Sequence, residues 1–585
     1  MTSLIYILGS LNSSEKDSVL KDLNISNGAS ISNMWLNESI ELVTENEELN
    51  TSNYIKAKNT VFELAKEFYE KYENTPVCDA QFNFWTHLRV TAFLQLVTYY
   101  KIKNYIDYVS SKAEIGNVKL VNVPAVIFEL LKLDYSVELF SVSENTNVSK
   151  PSFLVQSLKF FKSFLISKAK GFRPKKDTLL ISTKVDFGTL ITKDGLLQED
   201  KFTFYIQEIL PADSFDRLLN QNFFSKFHFF NNDGNSFPNK YNYIIEEVIV
   251  GGLFSFKILV NSFKNYLFAK NHLNSNKSVL DVLLKHNKSG FLFEYFFMNA
   301  FKVFLKKRAY KTIILSNEMS AIDNSIVRIA KELNIKTIGI QHGLINEYDL
   351  AYEFSDFELS KCNPFPDYFS VWGSSEKAFF DKNEKHFKNR IKTFGNVVFD
   401  GLKYLPKAEA NKKLTLMFAT QPQPIMKHRL QSLEDFVFAV NKFKVDEVEV
   451  IIRLHPREKD EINLYLPILK QLKNQNYELD FDKNLFLQLN KVDVLVTSFS
   501  TVAFDSMILK KQIVLLDYAN QDLTGLINVG VAHKAIDSES LFDVLSQFTT
   551  KVNLEVSEVY KNQLKTVYDN LDFDVALKIK GLILD

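Results

Sequence analysis

Apolar and polar residues follow two rhythms along this chain. Short apolar runs bounded by turn residues read as strands at 3–8, 118–121, 178–182, 202–206, 312–315 and 337–340. Apolar positions at helical spacing predict helices at 60–72, 93–109 and 325–333. The segment 244–310 is dense in Phe, Leu and Lys, with Phe256, Leu259, Phe263 and Leu267 at helical spacing. It predicts two long amphipathic helices joined near 287–290. A second series begins at Leu414, with strands at 414–419, 447–453, 492–496 and 513–516. Helices are expected between and after them at 434–443, 460–473, 502–509 and 539–548, and a last helical stretch at 556–584.

Strands alternating with helices predict an α/β fold with parallel sheets. A length of 585 residues exceeds one such unit. The expected organisation is an N-terminal α/β domain over 1–400, with a helical insertion at about 244–310, and a Rossmann-like domain over 401–555. A C-terminal helix over 556–585 would cross back to the first domain. Gly395, Gly401 and Pro406 punctuate the linker at 396–412. Two doubly wound domains facing a cleft suit an enzyme, because ligands favour domain interfaces and sheet switch points.

The 70 basic and 70 acidic residues cancel, leaving no global field for nucleic acid. Two cysteines, Cys78 and Cys362, make neither a disulfide framework nor a dedicated zinc site, which suits the cytoplasm. The N-terminus reads as a first strand rather than a targeting segment. No apolar run reaches the roughly 20 residues that span a bilayer. The helices at 244–310 have three readings: core packing, a homodimer contact, or peripheral docking on the inner face of a membrane.

The candidate chemistry gathers at strand ends. The run Ile451-Ile-Arg-Leu-His455-Pro456 fixes an imidazole at a sheet edge, where it can donate to a phosphate oxygen, with Arg457 as a second donor. The run Val494-Leu-Val-Thr497-Ser498-Phe-Ser500-Thr501 ends a strand in hydroxyl groups before a helix. Such residues cap helices and also bind anions. Thr420 and Gln421 end the strand 414–419 and are placed for donor contact. In the first domain, Gln341, His342 and Gly343 end a strand, and Gly343 lets backbone approach a ligand. His342 and Glu318 are candidate catalytic groups, and Glu347 is a further acceptor-side carboxylate. Each has a structural alternative: a turn histidine, or a carboxylate facing a helix dipole.

The phosphate-binding patterns G-x-x-x-x-G-K-[ST] and G-x-G-x-x-G are absent, as are G-x-S-x-G and H-E-x-x-H. No convincing D-x-D stands on a loop to hold a metal-bound diphosphate, so the expectation is a metal-independent enzyme without a bound cofactor.

His455-Pro456 followed by Ser498-x-Ser500-Thr501 resembles the HP and SS/ST motifs of bacterial sialyltransferases, and related patterns occur in Kdo transferases. The stretch from Gln341-His342-Gly343 to Val371-Trp372-Gly373 is similar to capsule-biosynthesis transferases. The resemblance covers roughly 312–517 and implies a GT-B glycosyltransferase of surface polysaccharide or lipopolysaccharide assembly. It implies a CMP-activated acidic sugar as donor and a glycan hydroxyl as acceptor. His455, Ser498, Ser500 and Thr501 would then hold the leaving phosphate, with Glu318 or His342 as base. CDP-glycerol or polyol-phosphate transferases of the same fold are an alternative, as are a sugar-nucleotide 2-epimerase and a non-catalytic, membrane-docked component of a capsule-assembly complex.

Overall fold

A computed structural model describes residues 2–7, 47–140, 175–220, 248 and 255–584. Within those spans, 79–82, 113–114, 122, 184–186, 212–213, 317–320, 344, 346–349, 351, 362–364, 383, 408–412, 422–425, 456–457, 459–460, 481–483, 519, 521, 523, 550–554 and 570 are not described. The strands are β1 (Thr2–Ile7), β2 (Ile115–Val121), β3 (Val137–Phe140), β4 (Thr178–Thr183), β5 (Phe187–Thr192) and β6 (Gly195–Asp200). Next come β7 (Phe215–Asn220), β8 (Thr312–Leu315), β9 (Lys336–Ile340), β10 (Tyr368–Val371) and β11 (Ile391–Thr393). The last are β12 (Leu414–Ala419), β13 (Val448–Arg453), β14 (Glu478–Asp480), β15 (Val494–Thr497), β16 (Gln512–Leu516) and β17 (His533–Ala535).

Two compact units emerge: residues 1–184 with 211–369, and residues 185–210 with 370–585. The first contains a parallel sheet β1-β2-β3 and most of a six-stranded sheet ordered β7-β4-β8-β9-β10-β11. Numbered from β4, its first five strands follow 2-1-3-4-5, one of the two common doubly wound arrangements, and β11 extends the edge beyond β10. Leu179, Ile181, Ile313 and Leu315 are fully buried, as continuous apolar runs in a parallel sheet require. They share one core with the helices Glu47–Tyr72, Phe84–Lys112 and Val279–Arg308.

The second unit holds a sheet ordered β14-β13-β12-β15-β16-β17, all parallel. Numbered from β12, this is the Rossmann order 3-2-1-4-5-6. Its core is built from Leu416, Phe418, Val450, Ile452, Val494, Val496 and Val514 beneath the flanking helices. The fold is thus GT-B-like in composition: two doubly wound α/β units.

Two expected elements differ. Residues 202–206, read as a strand, lie in the helix Lys201–Ile209. Thr203 N donates to the buried Asp200 carboxylate at 3.0 Å, capping the helix, and Phe202, Tyr205 and Ile206 are buried at helical spacing. The break expected at 287–290 lies instead between helices Phe256–His272 and Val279–Arg308. Ser278 Oγ caps the second helix by accepting from Asp281 N at 3.2 Å. The hairpin β5–β6 and the short strands β14 and β17 carry too few apolar residues to announce themselves.

The end of the chain is fastened inside the second unit. The helix Val575–Leu584 packs on Lys201–Ile209 and on the turn Val397–Tyr404. The buried Asp400 carboxylate accepts from Val575 N at 2.9 Å and Ala576 N at 2.8 Å. Gly373 admits no larger residue, because a Cβ there would stand 2.4 Å from Val567 O. Asp400→Ala leaves two helix N–H groups without their acceptor and costs about 1–3 kcal/mol. Limited proteolysis is expected to trim the C-terminal helix faster in that variant than in the parent.

Candidate functional site

In a sheet of Rossmann order, the crossover direction reverses between the first and fourth strands. Here those are β12 and β15. Ligands bind outside the carboxyl ends of the strands at such a point. β12 ends at Ala419-Thr420-Gln421, β13 at Leu454-His455, and β15 at Thr497-Ser498-Phe499-Ser500-Thr501. The fold therefore brings Thr420, Gln421, His455 and the hydroxyl run to one edge of one sheet.

Two of these hydroxyls hold the edge together. The Thr497 hydroxyl, fully buried, donates to Ala419 O at 2.9 Å and ties β15 to β12. Thr420 Oγ1 accepts from His455 N at 2.8 Å, and Thr420 N donates to Arg453 O at 2.9 Å, which ties β12 to β13. Ser500 is buried and its Oγ accepts from Val502 N at 3.3 Å. Thr501 is exposed and makes no side-chain cap to the helix Val502–Ile508. His455, Gln421 and Ser498 are half-buried. Pro456 and Arg457 lie outside the described residues.

Beneath the edge lies a carboxylate that the sequence pattern did not single out. Glu458 is fully buried. One of its oxygens, Oε1, accepts from the Tyr465 hydroxyl at 2.7 Å and stands 2.7 Å from Arg429 Nε; the other accepts from the Thr420 hydroxyl. Glu458 N donates to His455 O at 2.8 Å, closing the turn that carries the histidine. A carboxylate three residues after a strand end looks like an ordinary turn residue. Its partner Arg429 sits on another helix, Met426–Val440, whose facing only the fold reveals.

Asp505 lies one turn into the helix that follows the hydroxyl run. Burial pushes its carboxyl up to about 6, against the pull of Lys201 and Arg453. Arg453 itself pairs with Asp480 at 2.9 Å.

In the first unit, Gln341, His342 and Gly343 follow β9. Gln341 is buried and its Nε2 donates to Gly343 O at 2.8 Å, so the amide shapes the turn. His342 is exposed. The Asp367 carboxylate accepts from Thr337 N and from the Thr337 hydroxyl, both at 2.8 Å, and so joins the starts of β9 and β10. Trp372, after β10, is buried. Glu318 and Glu347 lie outside the described residues. Among the described residues, no helix is long and apolar enough to cross a membrane.

Two outcomes follow. Glu458→Ala leaves Arg429 buried without its carboxylate and is expected to cost about 3–5 kcal/mol, read as a fall in the denaturation midpoint. For Asp505, the folded carboxyl sits at about 6, above the ordinary 3.8, so its protonated form favours folding. That contribution is complete below pH 3.8 and lost as pH rises through 6. Asp505→Asn should therefore raise the melting temperature at pH 7.5 and give little change at pH 4, checked by calorimetry across that range.

Comparison with known proteins adds one sequence match. No curated protein matches the chain. Solved structures with a related trace include UDP-GlcNAc 2-epimerase from Neisseria meningitidis bound to UDP-GlcNAc, at 11% identity, covering 70% of this chain and 98% of that one, with TM-score 0.41. The S. aureus MnaA-UDP co-structure gives 9% identity, 69% and 96% coverage and TM-score 0.38. The wall teichoic acid polymerase TagF gives 14% identity, 74% and 96% coverage and TM-score 0.39. Likenesses at this level carry no argument about activity. The family match is local: residues 420–522 are similar to the family described as CDP-Glycerol:Poly(glycerophosphate) glycerophosphotransferase, and this segment runs from Thr420 through His455 and Ser498–Thr501.

Proposed function

We propose that this chain is a transferase that moves a polyol phosphate, glycerol phosphate in the first instance, from a CDP-linked donor to a hydroxyl of a phosphate-containing acceptor. The observation that supports it is the coincidence of two independent features. The Rossmann switch point gathers Thr420, His455 and the Thr497–Thr501 run at one sheet edge, and the glycerophosphotransferase match covers that same edge. This favours the CDP-glycerol alternative over the CMP-linked Kdo or sialic acid donor that the HP and SS/ST resemblance implied.

In this reading the acceptor hydroxyl oxygen attacks the phosphorus that carries the glycerol. The bond from that phosphorus to the bridging oxygen breaks. CMP departs with the electron pair, and the hydroxyl proton passes to a base. His455 donates to the oxygens of the departing phosphate as charge builds there. Ser498 and Thr501 add hydroxyl donors at the same edge. Thr420 and Thr497 act indirectly, by fixing the ends of β12, β13 and β15. The electrostatic load falls on positioned donors, the usual source of rate in phosphoryl transfer.

Release of CMP is the readout. CDP-glycerol with a glycerophosphate-primed acceptor is expected to yield CMP, and His455→Ala to slow it by about a hundredfold or more. Turnover of CMP-sialic acid or CMP-Kdo with CDP-glycerol inert would restore the acidic-sugar reading. Unchanged turnover in His455→Ala would remove the histidine from the site.

A further inference from the structure

The helix Phe256–His272 is turned inside out for a helix that packs on a protein core. Its buried positions are Ile258, Ser262, Asn265 and Ala269, which share one face at helical spacing. Two of those four are polar, and Ser262 Oγ has no hydrogen-bond partner there. The opposite face carries Phe256, Leu259, Phe263 and Leu267, which are 81%, 37%, 60% and 39% exposed. The core reading of this apolar stripe is therefore excluded: the four residues whose spacing announced the helix are those it presents to solvent.

The charge around the stripe identifies what covers it. Lys257, Lys264 and Lys270 are exposed beside it, and the helix carries no carboxylate. From Phe256 to Lys288 the sequence holds six lysines and one acidic residue, Asp281, which Lys71 already pairs at 2.6 Å. A second copy meeting this face would bring together two lysine-bearing helices with no carboxylate of their own to pair them, which is unfavourable. A hydrophobic stripe bordered by lysines fits an anionic lipid surface instead: the aromatic residues enter the acyl boundary while the ammonium groups meet the headgroups.

We infer that the helix Phe256–His272 docks this protein peripherally on an anionic lipid bilayer, with Phe256, Phe263 and Leu267 inserted and Lys257, Lys264 and Lys270 at the headgroups. The surface lies outside the β12–β13–β15 edge, so this inference stands or falls independently of the proposed reaction.

Flotation of the full chain with vesicles tests it. Vesicles of phosphatidylcholine with a quarter phosphatidylglycerol are expected to carry the protein up the gradient. Pure phosphatidylcholine vesicles should carry much less, and added salt should weaken the anionic arm. The double variant F256S/F263S should bind about tenfold or more weakly, and K257E/K264E/K270E should lose the preference for anionic vesicles. All five changes are at exposed positions, so an unchanged thermal melt is expected and shows that each variant folds. Flotation no better with anionic than with neutral vesicles overturns the inference, as does undiminished binding by F256S/F263S. Sedimentation that finds a lipid-free dimer converted to monomer by F256S/F263S also overturns it, in favour of a second copy.

Discussion

The reversal of crossover direction between β12 and β15 is the constraint on which the candidate site depends. Right-handed crossovers from β12 run one way to β13 and β14, and the other way to β15, β16 and β17. The helices that follow β12 and β15 therefore leave toward opposite faces of the sheet, and the strand ends between them stay open. In that opening the chain places polar side chains, Thr420, Gln421, His455 and Ser498 among them, rather than apolar ones that fill a core. The first unit repeats the arrangement with a different order, its reversal lying between β4 and β8. Ser316 ends β8 there, buried at the strand terminus.

An open edge needs stiffening, and the second unit supplies it with buried polar bonds. Glu458 is in contact with a hydroxyl, a phenol and a guanidinium, so both of its oxygens are engaged. Removing such a group from water is unfavourable unless its partners are this complete. The result fixes the backbone of His455 at the end of β13, its N–H donating to Thr420 Oγ1 and its carbonyl accepting from Glu458 N. The polar groups of the edge thus differ in burial: Thr420, Thr497 and Glu458 are buried and tie the strand ends, and His455 stands half-buried where they fix it.

Much of this was legible in the sequence. Strands β8 and β12 begin and end where the apolar runs do, because parallel strands buried on both faces leave a continuous signal. His455 and Ser498–Thr501 were legible for the same reason, as polar residues that interrupt a strand abruptly. What stayed hidden was anything fixed by tertiary facing. Phe202–Ile206 has the composition of a strand, and only the Asp200 cap and the burial of Tyr205 make it helical. Glu458 and Arg429 are far apart along the chain and become a pair only when the first helix of the unit is laid on the sheet. The choice between a CMP-linked sugar and a CDP-linked polyol was not legible either, since both donors carry the same pyrimidine nucleotide phosphate.

The helix Phe256–His272 shows the same limit from the other side. Periodicity establishes that a helix is amphipathic, and the usual inference is that its apolar face points inward. Here packing selects the opposite face. Small and polar residues, Ser262, Asn265 and Ala269, allow close approach to the protein, and the phenylalanines are left outward. Burying a phenylalanine side chain is worth about 1.5–3 kcal/mol relative to leaving it exposed. A chain that forgoes this twice on one helix, and borders the stripe with lysines, has arranged for the burial to occur on a surface it does not itself provide.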